Sequence, residues 1–496
     1  MLKRSALAGV ACLLAATPAL AQGVLLPAGD VRLREDLSLL VDERVVNLPV
    51  NAWPLSRTDV AAALDSVDAT ELQDPALRNA LSRVVAASRH PQNADDWRIR
   101  EIRVAAGRAG LLRDQGTPGR EDFELTATGS VVHDRYAITL AATGALDPQD
   151  GQELRLDGSS ISILWGNWYF GANQIDRWWG PGHDGSLILS NNARPMPALS
   201  LDRVRSLPVD LPILRWLGPW RFNAFLGLGE ENRPDVDRPA FMAMRFSFKP
   251  APNVEVGLSR SAQFCGKGRR CSLETFGRML IGQDNIGIRG LEDPQDEPGN
   301  QMAGFDARIA SPWSALPVAL YGQAIGEDNS STGIPERYLA IFGGETWLPC
   351  ESGAVLRAHV EYANTKVKWY DSEIEYDSAY RQAIFFAGYR YRGRNIGHTT
   401  DADSETTSMG LSLTTGEGQR WALLAREGRL DRGGTVDAHN LLTAGPSDYW
   451  SWQLSWDASF RRHDIGLQVG REKQTPASAG NARGAFGFIQ WRMQLP

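Results

Sequence analysis

From Trp97 to the end of the chain, apolar and polar residues alternate with a period of two, in runs of roughly eight to twelve residues broken by turn formers. In Ala240 to Phe248, Met242, Met244, Phe246 and Phe248 alternate with Ala243, Arg245 and Ser247. In Tyr449 to Phe460, Trp450, Trp452, Leu454, Trp456, Ala458 and Phe460 alternate with Ser451, Gln453, Ser455 and Asp457. In Leu356 to Tyr362 the apolar set Leu356, Ala358, Val360, Tyr362 faces away from Arg357, His359 and Glu361. A soluble sandwich would alternate in the same way, but sandwiches break into domains of about 100–200 residues, and no linker or repeat boundary interrupts this stretch. Trp, Tyr and Phe gather near the ends of the runs, where a membrane barrel carries its interfacial girdles. The expected fold is therefore an all-β transmembrane barrel of antiparallel strands. At ~9–11 residues per spanning strand plus turns and loops, residues 97–496 hold roughly 16 to 20 strands. The last strand is expected over Phe486 to Met493, with Ile489, Trp491 and Met493 on one face.

The N-terminal part reads differently. Lys3 and Arg4, the apolar run Ala6 to Ala16 and the site Ala19-Leu20-Ala21 spell a Sec signal peptide, residues 1–21, cut before Gln22. Gly9-Val10-Ala11 ahead of Cys12 is a poor lipobox, so lipidation is not expected. Residues 22–96 are expected to form a helical bundle, because Leu33, Leu37, Leu40 and Val41, then Val60, Ala63 and Leu64, then Leu77, Leu81, Val84 and Val85 recur at helical spacing. Pro49, Pro54 and Pro75 separate three short helices; Ser56 and Asp74 are expected N-caps, and Pro75 suits a first helical turn. So small a bundle cannot bury a sufficient core alone and must lean on the strands that follow.

No apolar run after the signal approaches the ~20 residues of a membrane helix, which excludes a helical membrane protein. Net charge is −7 and no Lys/Arg-rich tract occurs, so nucleic acid is not an expected partner. A secretory signal followed by barrel strands points to the outer membrane of a Gram-negative bacterium, with membrane lipid and lipopolysaccharide around a single copy of the chain. Cys265 and Cys271 flank a short polar stretch and are expected to close a disulfide, leaving Cys350 unpaired.

One segment, Arg177 to Pro195, concentrates Trp178, Trp179, His183, Asp184, Asn191, Asn192, Arg177 and Arg194 among the turn formers Gly180, Pro181, Gly182 and Gly185. Indoles present apolar faces to pyranose rings, carboxamides meet hydroxyls, and guanidinium groups pair with sugar carboxylates. Those eight residues are the candidate polysaccharide site. The competing reading is an inward-folded loop whose tryptophans pack on neighbouring strands. The polar faces supply Arg245, Arg357, His359, Glu361, Arg390 and Arg392 to the lumen, either as a path for an anionic sugar or as mutually paired charges. His183, Asp184 and Ser186 invite a hydrolase reading, but sequence neighbours seldom arrange as nucleophile, base and orienter, and no Gly-x-Ser-x-Gly elbow occurs. Glu292 to Glu297 and Asp401 to Glu405 carry the oxygen ligands calcium prefers, though acidic loops are usually only solvated. No cofactor, metal or catalytic residue is expected.

Trp179-Gly180-Pro181, Ser186-Leu187 and Ser190-Asn191-Asn192 followed by Pro195 resemble the Wzi capsule assembly proteins. So does Leu37 to Asp59, with Asn51-Ala-Trp53-Pro-Leu-Ser56, and the similarity extends over the mature chain. The resemblance implies an outer-membrane barrel of about 18 strands, closed on its periplasmic side by the N-terminal helices. It implies a lectin that holds capsular or extracellular polysaccharide at the cell surface without turnover. A passive oligosaccharide channel and an outer-membrane hydrolase are the alternatives from other classes.

Overall fold

The computed structural model describes residues 24–89, 96–116, 119–269, 271–280, 299–313, 315–329, 335–371, 374–382, 384–434, 440–443, 445–476 and 483–495. The expected signal peptide with Cys12, and the acidic loop Glu292 to Glu297, lie outside the described residues. Within them, eighteen antiparallel strands close into a barrel. The first, Arg98–Arg108, is sealed between Phe123–Val132 and the last, Arg483–Gln494. Closure satisfies every strand edge, the condition for a sheet to cross a membrane.

The period-two pattern becomes two surfaces. On the outside, register brings Leu348, Leu356, Leu413, Trp421, Trp456, Leu467 and Ile489 side by side across seven neighbouring strands. Most of these side chains are exposed. A continuous apolar row of that extent is a lipid-facing band, since a soluble surface does not tolerate it. Inside, the alternate residues are polar and paired: Arg245, fully buried, meets Asp306 on the strand two away at 2.9 Å.

The two ends differ. At one, strands are joined by tight turns such as 133–135, 252–253 and 461–462. Exposed indoles of Trp97, Trp165, Trp216 and Trp313 stand near these connections, where an interfacial girdle belongs. At the other, loops 109–122, 146–159, 174–197, 229–239, 365–404 and 431–446 are long.

Three helices fill the short-turn end: α1 Val31–Asp42, α2 Arg57–Leu64 and α3 Pro75–Ser88. Ser56 caps α2 by accepting from Asp59 N at 3.3 Å, and Asp74 caps α3 by accepting from Ala76 N at 2.7 Å, with Pro75 in its first turn. Asp30 caps α1 through Leu33 N at 3.0 Å, a cap the sequence reading did not single out. Leu37, Leu40, Val60, Ala80 and Val84 form one core with Trp53 and Trp178, and the wall completes it with Ala310, Ala319, Trp347 and Val355. The bundle thus borrows its core from the barrel.

Polar latches hold it there. Glu35 takes Arg420 at 2.8 and 3.0 Å, Asp42 takes Arg308 at 2.7 and 2.8 Å, and Trp347 Nε1 donates to Glu43 at 2.8 Å. Burial alone would raise the Glu35 carboxyl, but the charge and hydrogen bonds of Arg420 outweigh it and hold it down at about 2. A carboxyl depressed on folding stabilises the native state above its unfolded value of ~4.3 and loses that contribution as pH falls toward the folded value. Protease access to α1 should therefore rise between about pH 4.5 and pH 2. In Glu35→Gln that portion of the pH dependence should vanish, leaving a helix already looser at pH 7.

Candidate functional site

The Arg177 to Pro195 segment belongs to the long 174–197 loop, yet it runs down into the lumen. Trp178 and Trp179 form a two-residue ladder with Trp53 and Ala52. Both indoles are only 1% exposed. Trp178 lies in the core of the helices, its Nε1 donating to Gly182 O at 3.2 Å. Trp179 lies in a second core that lines the barrel centre, edge-on to Phe225 at 5.9 Å. Their faces are covered by protein, so neither presents the open platform that stacking on a sugar requires; this departs from the sugar-facing expectation for the pair.

The polar members of the segment are also committed. Glu361 accepts from three successive backbone N–H groups, His183 at 2.7 Å and Asp184 and Gly185 at 3.2 Å each, and from Tyr321 Oη at 2.9 Å. Such a run of amides around one carboxylate is an anion nest turned inward. His183 Nε2 lies 3.0 Å from Glu345, and its ring stacks on His359 at 4.3 Å. Asp184 pairs with Arg426 at 2.6 Å. Gly185 approaches His398 so closely that a Cβ there would lie 2.1 Å from its Nε2, which explains a glycine at that point. Asn191 donates to Gln115 O at 2.7 Å and Asn192 to Asn395 O at 2.9 Å. Arg177 bonds Asn173 at 2.7 Å and covers the Phe225 ring at 4.1 Å, while Arg194 binds Asp157 through two nitrogens at 2.8 and 2.9 Å.

The segment is also tied to the helices. Arg34 of α1 donates to Pro181 O at 3.0 Å and Gly182 O at 2.9 Å, and Gly180 N donates to Asn51 O at 2.9 Å. From the walls and the 365–404 loop, Gln323 holds Leu187 N at 2.7 Å, Tyr380 holds Leu187 O at 2.7 Å, and Tyr389 holds Ile188 O at 2.9 Å. Gln323, Tyr380, Tyr389 and Arg426 were not singled out from the sequence, since nothing local in it says which distant side chain meets this loop.

The lumenal candidates are likewise internally paired. Arg357 donates to Glu35 O at 2.8 Å, and His359 and Glu361 hold the segment just described. Arg390 stands in the 365–404 loop rather than on a wall strand, paired with Asp401 at 2.7 Å. Arg392 lies in that loop too, which corrects the placement of both on a polar wall face. Between α1 and the wall remains a polar cavity of about 440 Å³, lined among others by Arg32, Glu35, Arg103, Arg120, Asp457 and Arg492. Its charges of both signs select no ion.

The Ser186 hydroxyl donates to Trp179 O at 2.5 Å, so its proton is spent on a backbone carbonyl rather than offered to a base. Asp401 is taken by Arg390 and Asn395, and Glu405 by Lys366 at 2.6 Å. Among the described residues no group of three or more His, Cys, Asp or Glu is arranged to hold a metal ion. Cys265 and Cys271 form a disulfide, and Cys350 is a free thiol.

Comparison with known proteins agrees with this architecture. A solved structure of Wzi, described as a carbohydrate-binding outer-membrane β-barrel involved in group 1 capsule assembly in Escherichia coli, superposes with a TM-score of 0.80. The match covers 96% of this chain and 99% of that one at 22% identity. An uncharacterized 55.8 kDa protein of the cps region of Klebsiella pneumoniae is 27% identical over 374 residues, 75% of this chain and 69% of its own length. The family model for capsule assembly protein Wzi matches residues 98–477. With most of the chain inside that match, and with the closed barrel and its inner loop in place, the protein belongs to the Wzi capsule assembly family.

Proposed function

We propose that the protein is a non-catalytic outer-membrane barrel that holds capsular or related extracellular polysaccharide at the surface of a Gram-negative cell. The short-turn end with its helices faces the periplasm and the long loops face outward, the usual orientation of such barrels. Lipid and lipopolysaccharide surround the apolar band, and one copy of the chain suffices. The observation that carries the reading is the filled lumen. An empty barrel of this strand number is wide enough for an aqueous channel, but here α1, the 174–197 loop and the wall bond one another across it. That favours a surface role for the long loops over passage through the wall. The family and the carbohydrate binding described for the Escherichia coli barrel support polysaccharide as the partner. Retention needs only modest affinity per site, because a polymer engages many copies and later contacts become intramolecular.

Deleting the gene tests this. Polysaccharide should move from the cell-bound to the free fraction at constant total. A fall in total would point to synthesis or export instead. Purified protein in a planar bilayer should give no steady conductance, whereas porin-sized steps would favour the channel.

A further inference from the structure

At the long-loop end, three loops enclose a pocket of about 280 Å³, lined by Gln149 and Asp150, by Glu230, Arg233 and Pro234, and by Ala387, Arg390 and Arg392, with Leu441 at its edge. Its volume falls just under the ~300–1,000 Å³ of small-molecule sites, enough for one sugar-sized unit. The walls are fixed. Arg233 donates to Arg390 O at 2.7 Å and to Gly388 O at 3.0 Å, tying the 229–239 loop to the 365–404 loop. Asp235 holds Arg233 at 2.8 and 3.0 Å and accepts from Ala387 N at 2.9 Å. Asp150 is taken by Arg194 at 2.5 Å and Arg155 at 3.4 Å.

With those charges spent, two groups have capacity left. Glu230 Oε2 is buried without a hydrogen-bond partner, and so is Arg392 Nε. Among the described residues no carboxylate lies within ion-pair distance of the Arg392 guanidinium, which flanks the Tyr391 ring at 5.6 Å, hydrogen-bonds Tyr391 and lies in the field of Glu230. Glu230 Oε1 takes Arg233 at 3.4 Å, and burial pushes the carboxyl up against the pull of Arg233, Arg392 and nearby backbone N–H groups. A guanidinium fork with no carboxylate at ion-pair distance can take one geometrically. Pro234, Ala387 and Leu441 supply apolar surface for the CH face of a ring.

Building on the polysaccharide reading above, we propose that this pocket is a subsite for one carboxylate-bearing sugar unit of the surface polymer, with Arg392 taking the carboxylate and Glu230 accepting from a hydroxyl. The test uses short oligosaccharides released from the surface polysaccharide of the cells that make the protein, so that multivalency does not mask a single site. They are prepared native and with their carboxyls reduced to alcohols, and bound to the folded, full-length barrel in detergent. Arg392→Ala and Arg392→Gln should each weaken binding of the native fragments about tenfold or more, as loss of a charge-assisted pair implies. Glu230→Gln should weaken native and reduced fragments alike. Carboxyl reduction should weaken wild type by the same factor as Arg392→Ala and leave Arg392→Ala unchanged, the signature of two coupled partners. Arg392→Ala binding native fragments as tightly as wild type would overturn the subsite while leaving polysaccharide retention standing. Wild type binding neither form would overturn both. Retained cold-gel mobility of each variant certifies that its barrel is folded.

Discussion

Replacing Trp178 or Trp179 with alanine should cost about 3–5 kcal/mol of folding stability each, the range for emptying a buried aromatic site. Polymer bound per folded barrel should not change. Trp178 is a centrepiece of the helix core and Trp179 of the lumenal core, and each is 1% exposed, so truncation leaves a cavity in a packed interior. The urea midpoint, read from the loss of heat-modifiable mobility, measures the first quantity. Polysaccharide bound per folded molecule measures the second. Full stability with lost binding would return the indoles to the sugar.

Glu361→Ala should be comparably damaging, at about 3–5 kcal/mol, although it removes no apolar surface. Its carboxylate is the acceptor for His183 N, Asp184 N and Gly185 N, and each buried donor left unsatisfied costs ~1–3 kcal/mol. Glu361→Gln keeps one acceptor oxygen and should fall between alanine and wild type. Protease cleavage within 180–190 should rise in the same order; equal resistance in all three proteins would mean the nest does not hold the loop. Trp178 and Glu361 grip the same segment, so their costs should not add.

The barrel was legible in the sequence because alternation is a local signal and lipid exposes every second side chain. Ser56 and Asp74 were legible as caps for the same reason: a cap reaches only two or three residues. What the lumenal charges do was not, because Arg245 finds Asp306 and Asp184 finds Arg426 across sequence separations of 61 and 242. Glycines 180, 182 and 185 announced tight bends without saying that the bent loop turns inward; that depends on Arg34, Gln323 and Tyr380, which lie on other elements. The segment that identified the family is therefore a brace between helices and wall. The mouth pocket went unread because Glu230 and Arg392 come together only through the Arg233 clamp between two loops.

Retention without turnover is tested most directly by incubating the folded protein with the polysaccharide of its own cells. Bound fraction and polymer size are followed together over hours. Saturable binding with an unchanged size distribution is expected; absence of binding, or progressive shortening of the polymer, would contradict retention without turnover.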